Sequence, residues 1–168
     1  MAHANKAPAT MNRLRNRTIL LIDDDESLLR ALNKVLSDAG ATVTTACRGG
    51  EGMEILRKRE KQFDLIITDL QMPFVKGVDV VRAVHDFFPP QPVIVLTAFA
   101  NPDIRAACME HGAVAVLEKP VGSQGLIAAV EAALRAGATT RDRNSVSHKT
   151  ATEQPAQLNP ASGHPHYI

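Results

Sequence analysis

Aromatic residues are scarce: 4% of the 168-residue chain, with no Trp and a single Tyr. Any core must therefore be aliphatic, and the 45% hydrophobic content is enough to build one domain with some length left over. Cysteine is equally sparse. Cys47 and Cys108 are the only two, and neither lies in metal-ligand spacing, so a disulfide scaffold is excluded and reduced thiols in a cytosolic protein are expected. No apolar run approaches the roughly 20 residues that a membrane helix needs. The opening MAHANKAPATMNRLRNR has no apolar stretch behind its charges, which excludes a secretory signal there. Charge of one sign is also missing: 19 basic residues face 18 acidic ones, for a net charge of +1. There is no bulk electrostatic case for nucleic acid or a membrane surface. The expected location is the cytoplasm.

What is present is an alternation. Short apolar runs alternate with stretches of helical period, the pattern of βαβ units around a parallel sheet buried on both faces. Strands are expected near 18–22, 42–46, 64–68, 93–97 and 114–117. The second is the weakest, since ATVTTA is β-branched but only partly apolar. Helices are expected over 26–38, 50–60, 77–87, 102–110 and 123–136. Gly40 and Gly112 lie just past two of them, Pro89 and Pro90 stop the third, and Pro102 sits in the first turn of the fourth. Asp25 is placed to cap the first helix. Right-handed crossovers then favour a doubly wound, flavodoxin-like α/β fold with strand order 2-1-3-4-5. It would fill 17–136. Residues 1–16, locally basic through Arg13 and Arg15, read as a flexible extension. Residues 137–168, rich in Thr, Ser, Asn, Gln, Pro and Ala, read as a disordered tail. His164 and His166 in that tail have no further ligands beside them, and no helix-turn-helix pattern follows the fifth helix.

Chemistry gathers at the ends of the apolar runs. Asp23 and Asp24 follow ILLI, Asp69 follows LIIT, Thr97 follows VIVL, and Lys119 follows VAVLE. In a parallel α/β sheet all these strand ends open onto one crevice, and the switch point of the 2-1-3-4-5 order lies between strands one and three. Three carboxylates brought together there repel one another unless a cation is present, and Mg²⁺ suits carboxylates, waters and phosphate oxygens. One carboxylate could then act as a nucleophile and form an acyl phosphate. Asp69 stands alone on its strand, whereas Asp23 and Asp24 are neighbours suited to share the cation. Pro73 and Gly77 shape the following loop and let the Gln71 main chain face that cation. Thr97 offers a hydroxyl, and Lys119 a compact positive charge, to phosphoryl oxygens.

The strings ILLIDDDESLL, DLIITDLQMPFVKG, VIVLTAFA and GAVAVLEKPV together resemble the receiver domain of two-component response regulators, over about residues 17–136. The resemblance implies that Asp69 is the phosphoacceptor, that Asp23, Asp24 and the Gln71 main chain help bind Mg²⁺ (or Mn²⁺), that Thr97 is the switch hydroxyl, and that Lys119 contacts the phosphate. It also implies a cis peptide before Pro120. The expected partners are a sensor histidine kinase or histidine phosphotransfer protein and a downstream protein target, with no direct nucleic-acid or membrane contact. A stand-alone receiver, monomeric or dimerising on phosphorylation, would be a signalling domain rather than an enzyme.

Two positions depart from the family pattern. Three residues before the lysine, where the family usually carries Tyr or Phe, this chain has Val116, so the usual Thr–aromatic coupling is in doubt and signalling could run through the 98–103 loop and the fourth helix. Phe99 puts a bulky apolar residue at the site entrance, where it could slow attacking water. Two alternative readings stand beside the main one. One is a receiver-shaped interaction module that never turns over phosphate. The other is a haloacid-dehalogenase-type phosphatase with Asp23 as nucleophile, which would leave Asp69 without a role.

Overall fold

The apolar runs become strands because a strand buried on both faces needs no polar alternation. In β1 (Thr18–Ile22), β3 (Leu65–Asp69) and β4 (Val93–Thr97) every residue but Thr18 is buried. The computed structural model describes residues 12–58, 62–88 and 91–147. Between these strands and β2 (Thr42–Ala46) and β5 (Ala115–Glu118) lie α1 (Glu26–Asp38), α2 (Gly49–Lys58), α3 (Gly77–Phe87), α4 (Pro102–Glu110) and α5 (Ser123–Ser147) in strict alternation. The sheet is parallel throughout, in the order β2-β1-β3-β4-β5. That is the doubly wound arrangement expected from the sequence.

Successive residues on a strand point to opposite faces, so each strand feeds two cores. Ile19, Leu21, Leu65, Ile67, Ile94 and Leu96 pack beneath α1 and α5. Leu20, Ile22, Ile66, Val93 and Val95 pack beneath α2, α3 and α4. Each Leu or Ile truncated to Ala there costs about 2–5 kcal/mol. Local signals set the helix limits. Asp25 caps α1 as expected, its Oδ1 accepting from the amides of Ser27 at 2.9 Å and Leu28 at 3.1 Å. Gly40 beyond the cap adopts a left-handed φ of 97°, which a side chain would resist.

Two stretches differ from the sequence reading. Residues 12–16, read as part of a flexible extension, form a turn that packs onto the domain. Leu14 is fully buried in the α1–α5 core and its amide donates to the Ala39 carbonyl at 2.8 Å. Arg13 pairs with Glu131 on α5. Residues 1–11 lie outside the described residues. At the other end α5 continues to Ser147, where a tail from 137 was expected. Gly137 is no helix stop by itself, and the next proline is Pro155, so an established helix propagates onward. Residues 148–168, with His164 and His166, lie outside the described residues.

The amino ends of the strands are densely tied. Asp64 Oδ2 accepts from the Thr18 amide at 2.9 Å and its hydroxyl at 3.1 Å, and Arg17 faces Asp64 at 3.6 Å. The Thr42 amide donates to the Arg17 carbonyl at 2.8 Å. The opposite ends of the strands carry the candidate site.

Candidate functional site

β1 and β3 are neighbours, with Ile22 opposite Thr68. Asp23 and Asp69, the residues that leave these two strands, therefore emerge side by side. Both are buried, as is Thr97 at the end of β4. Lys119 follows β5 and reaches back across the strand ends. Its Nζ lies 2.7 Å from Asp23 Oδ2 and 2.6 Å from Asp69 Oδ1. The lysine is a partner to both acids. The Lys119–Pro120 peptide is cis.

The remaining carboxylate oxygens are held by backbone amides. Asp23 Oδ1 accepts from the Asp25 amide at 3.0 Å, and Asp69 Oδ2 from the Gln71 amide at 2.8 Å. Asp23 Oδ2 has Lys119 as its ion-pair partner and no further hydrogen bond. Burial pushes the Asp23 carboxyl above its ordinary range, and the Asp69 charge adds to this, against the hydrogen bonds from Lys119 and the Asp25 amide. Burial draws the Lys119 ammonium down. The hydrogen bonds and charges of Asp23 and Asp69 outweigh that and hold its pKa above the ordinary lysine value. The lysine stays cationic at neutral pH.

The loop after β3 is closed by steric necessity. A Cβ on Gly77 would stand 2.0 Å from the Asp69 carbonyl oxygen and 2.8 Å from Leu70 Cα. Gly77 was expected to shape this loop, but the left-handed residue in it is Phe74, at φ 67° and fully exposed. Gly77 is required for space. Its amide donates to the Leu70 carbonyl at 3.0 Å, which ties the start of α3 to the end of β3.

Thr97 is not bonded to Asp69. Its Oγ1 accepts from the Phe99 amide and donates to the Phe99 carbonyl, both at 3.2 Å. Phe99 itself is exposed beside the site. Asp24 and Gln71 are exposed as well, and the Asp24 carboxylate joins no ion pair among the described residues. No group of three or more His, Cys, Asp or Glu side chains stands arranged around a metal position among the described residues. The donor chemistry nevertheless fits a hard cation. Asp23 and Asp69 offer buried carboxylate oxygens with Asp24 adjacent, and the single charge of Lys119 compensates only part of what a divalent ion would. The sequence signal missed Arg105 on α4, whose guanidinium donates to the Val116 and Ala100 carbonyls. Bonds to main-chain oxygens leave no pattern of side-chain types to read.

Comparison with known proteins bears on this arrangement. Residues 19–131 match the family described as the response regulator receiver domain. The chain is 37% identical over 124 residues to the transcriptional regulatory protein GlrR of Escherichia coli K12, covering 74% of this chain and 28% of GlrR. It is 35% identical over 140 residues to the transcriptional regulatory protein PrrA of Mycobacterium tuberculosis, covering 83% of this chain and 58% of PrrA. The chain thus spans less than two thirds of these relatives. A receiver domain protein from Clostridium thermocellum superposes with a TM-score of 0.67 at 33% identity, covering 71% of this chain and 95% of that one. No helix among the described residues is long and apolar enough to cross a membrane. The matched residues take in all five strands but for Thr18, together with the acids, the hydroxyl and the lysine at the strand ends, and the chain belongs to the response regulator receiver domain family.

Proposed function

We propose that Asp69 accepts a phosphoryl group from a phosphohistidine donor, a sensor histidine kinase or a histidine phosphotransfer protein, and that the phosphorylated domain changes its binding to a downstream protein. The observation that carries this reading is the setting of Asp69. Its two oxygens are oriented by the Lys119 ammonium and the Gln71 amide at the switch point of the sheet. A carboxylate so held is a positioned nucleophile. An Asp69 oxygen attacks phosphorus, the bond from phosphorus to the donor imidazole nitrogen breaks, and the imidazole leaves with the electron pair and takes a proton from solvent. Lys119 can follow a phosphoryl oxygen as charge develops there, and Thr97 can turn its hydroxyl toward another. Mg²⁺, held by Asp23, Asp24, Asp69 and the Gln71 main chain, would neutralise charge on the transferring group.

A phosphatase reading with Asp23 as nucleophile gains nothing here. Asp23 is fully buried, and Asp69 would be left with no part to play. Intact mass after incubation with acetyl phosphate, with and without Mg²⁺, tests the proposal on the wild type and Asp69→Asn. The expected result is a Mg²⁺-dependent gain of one phosphoryl group that the substitution abolishes. No gain would leave an interaction module without phosphotransfer. A gain that survives in Asp69→Asn would point to another acceptor.

A further inference from the structure

Receiver signalling needs a path from the phosphorylated aspartate to the outer surface, and in this chain the β5 position that usually carries an aromatic ring is Val116. The valine is buried among Ile104, Cys108 and Ala113 on the α2–α3–α4 side. It has no ring to swing. Its main chain is nevertheless engaged. β5 is an edge strand, and the Lys119 amide on its inner side donates to the Thr97 carbonyl. The Val116 carbonyl is taken by Arg105, whose Nη1 donates to it at 2.6 Å. The same guanidinium reaches the loop after β4, where Nε donates to the Ala100 carbonyl at 3.2 Å.

Ala100 directly follows Phe99, the residue whose amide and carbonyl both engage Thr97 Oγ1. A continuous set of contacts therefore runs from the Thr97 hydroxyl through the 99–100 backbone and the Arg105 guanidinium to the open edge of β5. Thr97 can give its proton to a phosphoryl oxygen on Asp69 only by releasing the Phe99 carbonyl. That release removes one tie on the backbone that Arg105 holds. A guanidinium can span two carbonyls because its donors sit in a fixed fork, whereas an ammonium is a single point of contact.

We propose that Arg105 is a positioning residue that latches the 98–101 loop to the edge of β5 in the unphosphorylated domain. Phosphorylation of Asp69 then opens the latch, and the freed guanidinium and uncovered Val116 carbonyl become the altered α4–β5 surface. The inference rests on the phosphorylation of Asp69 proposed above. A latch of this kind biases two pre-existing states, so its removal raises the fraction of molecules already competent.

The test uses wild type, Arg105→Ala and Arg105→Lys with two readouts. One is the initial rate of phosphorylation by acetyl phosphate with Mg²⁺. The other is the backbone amide spectrum of 98–101 and 115–117, without and with beryllofluoride and Mg²⁺. Arg105→Ala is expected to phosphorylate on the order of threefold faster. Its unmodified amide signals should lie displaced along the line joining the two wild-type states, with Arg105→Lys between. A merely structural role would not move the signals along that line. If Arg105→Ala does not fold, Arg105→Lys decides by the same displacement. An unchanged or slower rate, or shifts confined to the immediate neighbours of residue 105, overturns the latch while a phosphorylated wild type leaves Asp69 in place. A wild type that gains no phosphoryl group overturns the Asp69 reading and the latch with it.

Discussion

Lys119 Nζ sits 2.6 Å from Asp69 Oδ1 while its other contact, Asp23, is wholly removed from solvent. One partly exposed cation is thus shared by two buried carboxylates, and one negative charge is left over. Breaking a buried ion pair costs roughly 3–5 kcal/mol, and this lysine stands at a partly wetted edge, so Lys119→Ala is expected to lose about 2–3 kcal/mol in chelator. Mg²⁺ should restore part of that loss. The measurement is urea denaturation with EDTA and with Mg²⁺, and the Mg²⁺-dependent gain should be larger in the variant than in the wild type.

The raised Asp23 carboxyl makes a signed prediction. A group whose folded pKa is raised contributes stability below its unfolded value, about 3.9 for Asp, and loses it as pH rises through the folded value. At neutral pH the wild type therefore bears the full penalty of the buried charge even with Lys119 counted. Asp23→Asn should melt higher than wild type at pH 7, and the gap should shrink as pH falls toward 4. Melting curves across that range check it.

Gly77→Ala should be among the most damaging single substitutions in the domain. The added carbon would meet backbone at 2.0 Å, which no side-chain adjustment can relieve. A loss of about 3 kcal/mol or more is expected, together with impaired phosphorylation because the Asp69 carbonyl itself must shift. Gly50→Ala in α2 meets nothing within 4 Å and should stabilise by about 0.4–1 kcal/mol. Denaturation of the pair separates crowding from propensity.

Leu14→Ala should cost about 2–4 kcal/mol, as a core leucine does. Glu131→Gln should change stability little, because its pairing with Arg13 is exposed. A Leu14 variant as stable as wild type in chemical denaturation would return residues 12–16 to the status of an extension.

The Phe99 ring is exposed while its backbone engages Thr97. If its ring hinders water, Phe99→Ala shortens the phosphoryl lifetime on the order of two- to fivefold, a barrier change under about 1 kcal/mol. The lifetime is read by intact mass after removal of the donor.

The legible parts of this fold were those whose pattern is carried by side-chain type. ILLI, LIIT and VIVL announced central strands because both faces are buried, and their boundaries fell within a residue of the observed ones. TVTTA read weakly for a physical reason: β2 is an edge strand, mostly exposed or half-buried. Asp23, Asp69 and Lys119 were legible as a group because strand ends in a parallel sheet converge, and the structure brings these three into contact. Asp24 stands apart from that contact, and Thr97 is turned to Phe99. Leu14 was missed because one leucine among arginines in a short turn has no periodicity. The overrun of α5 was missed because its polar residues offer no apolar stripe. The role of Gly77 was misassigned because sequence shows that a side chain is absent but not whether conformation or space demands it.

The unequal tying of the two ends of the sheet bears on how the domain breathes. At the amino ends Leu14, Asp64 and Arg17 bind turn, strand and loop together, while the other end is held chiefly by Lys119 and a few loop amides. Opening fluctuations draw on the least protected contacts first. Amide hydrogen exchange should therefore be graded along the strands, slow near Thr18 and Leu65 and fast near Thr97 and Lys119. Loops around the strand-end carboxylates can then rearrange time after time without the hydrophobic layers beneath them coming apart.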